Sequence, residues 1–77
     1  MTITRTVTKF SKTTDRLLGE YPITCSVEEM RHLFDIGDDK EMYNCYPIVS
    51  PAQIAFFKER GVPITKRAEF FVEAYGE

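Results

Sequence analysis

From Thr2 to Thr8 every second residue is a threonine, and the apolar Ile3 and Val7 fall between them. Ile3 and Val7 fall on one side with the aliphatic stem of Arg5, and Thr4, Thr6, Thr8 and Phe10 fall on the other. A period of two, rich in β-branched residues and free of Gly and Pro, predicts a strand over residues 2–10. Residues 11–15, Ser-Lys-Thr-Thr-Asp, form a polar turn. Residues 16–24 then place Leu17, Tyr21 and Ile23 on one face of a second strand, so the two make a hairpin. Pro22 has no N–H to donate, and that position must face away from any neighbouring strand.

The period changes at Ser26-Val27-Glu28-Glu29. Ser26 can accept from a backbone N–H one turn on while Glu29 reaches back, a capping box that opens a helix. Val27, Met30, Leu33 and Phe34 form its apolar stripe, and Glu28, Glu29, Arg31 and His32 face water. Acids in the first turn suit the helix dipole, and Gly37 is a stop or turn residue. Residues 35–41 read as an acidic loop and residues 42–49 as a short aromatic strand. A second helix starts at Ser50, with Pro51 in the first helical position and Gln53 completing a second box; Ile54 and Phe57 point inward and Gly61 ends it. Residues 68–75 fit either period, but the run of β-favouring residues and the short length favour a strand. The expected fold is α+β, a single domain over 1–77 in the order ββαβαβ, with a small antiparallel sheet carrying two helices on one face.

Composition narrows the class. A chain of 77 residues, 43% hydrophobic and with ten aromatics, builds one thin core and is not disordered. No apolar run approaches the roughly 20 residues that span a bilayer, and the first residues lack the apolar segment of a signal peptide. The expected location is the cytoplasm, with no membrane partner, and Cys25 and Cys45 are expected to stay thiols there. A pI near 5.4 weighs against nucleic acid as the partner. The bases of the first third, Arg5, Lys9, Lys12 and Arg16, are strung along the strand pair with threonines rather than aromatics between them.

Charge is unevenly distributed. From Glu20 to Glu41 the chain holds seven acids against two bases, whereas residues 42–77 balance. Such a segment can draw in a basic partner and speed its encounter.

Catalytic chemistry finds few ingredients. Cys25 and His32 supply a thiol and an imidazole, but about two helical turns separate them. Asp35, Asp38, Asp39 and Glu41 offer oxygen ligands without the calcium-loop pattern, and Cys25, His32 and Cys45 lack paired zinc spacing. No Gly-rich loop precedes a helix to cradle phosphate, and so small a domain has little room for a pocket of several hundred cubic ångströms. The expectation is no catalytic residue, no metal and no cofactor. Protein binding is what remains. Carboxylates at Glu28, Glu29, Asp35, Asp38, Asp39 and Glu41 would meet a partner's Arg and Lys, and Tyr43 and Tyr46 would anchor the contact. Phe56, with Phe70 or Phe71, is more than one core face buries; an exposed apolar spot there would mark an oligomer or partner surface.

Several stretches together resemble the small bacterial immunity proteins of contact-dependent growth inhibition, found beside polymorphic-toxin genes. These are Ile3 to Phe10, the return from Asp15 to Pro22, Glu29-Met-Arg-His-Leu-Phe, Asp38-Asp-Lys-Glu-Met-Tyr leading to Tyr46-Pro-Ile, and Glu69-Phe-Phe-Val-Glu-Ala-Tyr. The resemblance implies a final strand and a cytoplasmic monomer that binds a cognate toxin, commonly a basic nuclease, and blocks its active site or substrate surface. It supplies no contact residues, so those named above come from charge and exposure. A module that forms homo-oligomers through an exposed sheet edge is the alternative.

Overall fold

The computed structural model describes residues 3–76. Its elements run β1 (Ile3–Ser11), β2 (Leu17–Ile23), α1 (Val27–Met30) continued by a 3-10 turn (Arg31–Leu33), β3 (Tyr46–Pro47), α2 (Pro51–Glu59) and β4 (Ala68–Gly76). The four strands form one antiparallel sheet in the order β2-β1-β4-β3. The fold is therefore the expected α+β arrangement, and the last element is a strand.

β1 occupies the centre because it can pair on both sides, with Val7 opposite Tyr21 in β2 and opposite Val72 in β4. The hairpin turn closes with Ser11 N–H donating to the Arg16 carbonyl at 2.9 Å. Asp15 takes a positive φ of 57° there, a conformation that Asp tolerates better than most residues. The register slips by one where the chain enters β2: Phe10 faces Leu17 and Lys9 faces Gly19, leaving Leu18 as the extra residue of a bulge. Pro22 and Pro47 both lie on outer strands, where a missing donor costs no ladder bond.

One face of the sheet is covered. Val7, Val72, Phe70 and Ala68 share it by strand alternation, and Met30, Phe34 and Phe57 from the helical segments close over it with Ile48, Val62 and Ile64. Phe57 is fully buried, with Phe56 edge-on at 5.0 Å and Phe34 at 6.3 Å. Both capping boxes form, at Ser26 with Glu29 and at Ser50 with Gln53, and Pro51 sits in the first turn.

Two expectations are corrected. The first helix does not run on through Phe34: four α-helical residues give way to the 3-10 turn, and Phe34 is extended (φ −128°, ψ 150°) so that its ring enters the core. The Leu33 carbonyl freed at this break accepts from the buried Gln53 Nε2 at 2.7 Å, which ties the two helical segments together. The third strand is also far shorter than residues 42–49. Met42 adopts a positive φ of 52°, and only Tyr46 and Pro47 pair with β4, followed by one further bond from Ile48 N–H to the Phe70 carbonyl.

Phe57→Ala would remove the largest fully buried side chain of this thin core. A urea titration followed by far-UV circular dichroism should show a loss of about 3–5 kcal/mol, a large share of the roughly 4–12 kcal/mol that a domain of this size holds.

Candidate functional site

The acidic loop between the 3-10 turn and β3 has a built interior. Asp39 organises it: one carboxylate oxygen accepts from the Tyr43 N–H at 2.9 Å, and the other accepts from the Asn44 N–H at 2.9 Å and the Tyr46 hydroxyl at 2.5 Å. The backbone adds bonds from Asp39 N–H to the Ile36 carbonyl and from Met42 N–H to the Asp39 carbonyl. Arg5 reaches across from β1 to donate to the Glu41 carbonyl. Met42 and Phe34 then pin both ends of the loop into the core.

Titration follows from these contacts. The Tyr46 hydroxyl, with the two amide donors, holds the Asp39 carboxyl below the usual aspartate range. Burial, and the facing Asp39 carboxylate, push the Tyr46 phenol up to about 12. Tyr46 is half-buried, with Phe34 at 5.7 Å. Asp39 and Tyr46 are thus parts of the loop's frame, with their polar groups turned to each other.

The remaining named residues divide differently. Glu29 closes the capping box and lies 3.4 Å from Arg60, and its carboxyl is held below the usual range chiefly by the Ser26 backbone N–H. Glu28 pairs with Arg31 at 3.5 Å on an open surface, a contact of little energetic weight. These are the two ion pairs among the described residues, which leaves Asp35, Asp38 and Glu41 exposed and unpaired beside an exposed Tyr43. Glu20, the first acid of the negative segment, is elsewhere, on the outer strand β2.

Sequence reasoning missed three contacts that hold this region. They are Arg5 on the Glu41 carbonyl, Gln53 on the Leu33 carbonyl, and Arg60, whose guanidinium lies 3.6 Å from the centre of the Phe56 ring. The first two join residues far apart in sequence, and no local pattern signals them. The third is an i, i+4 pair that the sequence does display.

Other chemistry is sparse. Cys25 and Cys45 are free thiols, with Cys25 half-buried against the core and His32 exposed on the 3-10 turn. Among the described residues no group of three or more His, Cys, Asp or Glu is placed to hold a metal ion. No described helix is long and apolar enough to cross a membrane. The expectation that the domain is too small for a pocket is corrected: a half-open apolar groove of about 520 Å³ lies beside β3, with Ile48, Val49, Ile54, Ile64, Phe70 and Lys12 among its lining residues.

A four-stranded sheet covered on one face and bearing a braced acidic loop defines a small α+β domain with an exposed anionic surface. The chain belongs to the family described as a domain of unknown function (DUF7683), whose profile matches residues 4–73. Comparisons with curated proteins and with solved structures gave no match.

Asp39→Asn keeps the shape of the side chain but turns an NH₂ towards donors. Hydrogen exchange should show faster exchange of the Tyr43 and Asn44 amides. The pH dependence has a definite sign. Because Asp39 is depressed in the fold, its contribution is present above the ordinary value near 3.8 and is lost as pH falls through its lower folded value. Because Tyr46 is raised from 10.0, its contribution is full below that value and is lost as pH rises towards about 12. Urea midpoints measured across pH should show a shallower acid limb in Asp39→Asn, where Glu29 still contributes, and a shallower alkaline limb in Tyr46→Phe.

Proposed function

We propose that this protein is a binding domain that neutralises a basic toxin partner, a nuclease by the chemistry of its surface, acting as an immunity protein in the cytoplasm. The observation that carries the reading is the set of three unpaired carboxylates, Asp35, Asp38 and Glu41, set beside the exposed Tyr43 on a loop already braced from within by Asp39 and Arg5. A loop ordered before binding loses little conformational freedom on association. A nuclease that grips a phosphate backbone presents cations that such a surface would cover. The sequence resemblance to immunity proteins supports the same reading, and Tyr43 would serve as the aromatic anchor.

Assembly of copies through a sheet edge is the weaker alternative. Both outer strands carry a proline, and β3 is two residues long; each feature blunts an edge against strand addition.

The test starts from the reading frames next to this gene. If one encodes a toxin domain, co-expression with this protein should restore growth, and the purified pair should bind with an association rate that falls as salt rises. Reversing Asp35, Asp38 and Glu41 to Lys should slow association about tenfold or more at low salt and flatten that salt dependence. Reversing Glu59, exposed at the end of α2, should change it less than about twofold. A neighbouring toxin that this protein neither binds nor neutralises would defeat the reading.

A further inference from the structure

Among the described residues, no element covers the second face of the sheet. Phe10, Leu18, Phe71 and Tyr75 project there, flanked by Pro22 and Pro47 on the two outer strands. Phe10 and Phe71 pack edge to face with centroids 5.7 Å apart, Leu18 is 56% exposed and Tyr75 is 44% exposed. The same face carries Glu20, Glu69 and Glu73. At its strand positions no Lys or Arg occurs among the described residues. The Tyr75 hydroxyl donates to Glu73 at 3.0 Å, so apolar and acidic groups form one continuous surface. Thr8, beneath them in the centre, is fully buried by its neighbours.

We propose that this open face is a docking site for a basic amphipathic helix of a partner protein. Three observations select that occupant. An apolar strip that carries Glu20, Glu69 and Glu73, with Lys12 only at the end next to Phe10, matches a helix with an apolar stripe and Lys or Arg on its flanks. A second copy of this chain would set three carboxylates against three, whereas packed sheets need apolar inner faces. An added strand would meet a proline on each outer strand. From the Phe10–Glu69 pair to the Thr4–Tyr75 pair the strip runs about 20 Å, the length of a helix of about 13 residues. This face lies on the side of the sheet away from the acidic loop, and its occupation does not rest on the toxin reading.

The test uses a synthetic peptide of about 18 residues, with Leu at positions i, i+3, i+4 and i+7 and Lys on the flanks. It is titrated into the intact protein by fluorescence anisotropy and by amide chemical-shift mapping. The expected result is a micromolar Kd, with shifts on Thr8, Leu18, Phe71 and Tyr75. Glu20→Lys with Glu69→Lys, both at exposed positions, should weaken binding about tenfold or more, as should Leu18→Ser, while Asp38→Lys with Glu41→Lys should change it less than about twofold. A matching Leu/Glu peptide should not bind. The proposal is overturned by no binding at about 100 µM peptide. It is also overturned by shifts confined to residues 35–44, by equal weakening from the loop pair, or by sedimentation showing a dimer that Leu18→Lys dissolves.

Discussion

The pairing of β1 with β4 runs the length of both strands, from Ile3 opposite Gly76 to Ser11 opposite Ala68. It joins residues 3–11 to residues 68–76, so the segment between them must close as a loop before the pair is complete. That closure is entropically costly, and its cost grows only slowly with length. The return comes from what the register brings together. Val7 meets Val72 on the covered face, which fixes where Phe70 and Ala68 point and gives the helical segments a surface to pack on. A slip by one residue would turn Val72 and Phe70 to water and bring Phe71 and Glu73 inward. The outer strands, the loop and the groove all hang on this central pair, and a protein so built should fold as one cooperative unit.

How much of this was legible follows from the range of each interaction. The hairpin, both capping boxes, Pro51 and the final strand are written in neighbouring residues, and the chain displays them openly. The breaks in pattern come from distant partners. Residues 42–49 look like a strand because Tyr43, Tyr46 and Val49 favour extended backbone. Asp39 takes the amides of Tyr43 and Asn44 before a sheet can, and it needs the Tyr46 hydroxyl to complete the arrangement. The first helix shows a good apolar stripe through Phe34, yet packing draws that ring into the core and Gln53 supplies a partner for the carbonyl left behind.

The candidate site was legible as composition and only partly as geometry. The run of acids from Glu20 to Glu41 is one segment in sequence but several environments in space. Glu20 lies on a strand, Glu29 is engaged by Ser26 and Arg60, and Asp39 is turned inward; only part of the charge stays available to a partner. Spacing cannot reveal this, because whether a carboxylate is spent on the fold depends on which donors the fold delivers to it. Conversely, Glu69 and Glu73 belong to the charge-balanced segment 42–77, where composition gives no sign of an acidic surface, although their alternation with Phe71 and Tyr75 places them together on the open face.

Carboxylates crowded on a small domain repel one another, and a loop that gathered them without internal bonds would swell away from the core. Here one member of the group, Asp39, has its charge satisfied by two amides and a phenol, and this holds its neighbours outward at fixed positions. Structural and interactive acids are therefore physically separable in this protein. An acid that accepts several local hydrogen bonds has a lowered pKa and should matter to stability, whereas an exposed acid without a partner contributes little to the fold and leaves its field available to another molecule. The sheet divides along the same line. Its covered face spends its apolar side chains on the core, and its open face keeps Phe10, Leu17, Leu18, Phe71 and Tyr75 beside carboxylates, an expenditure that folding alone does not require.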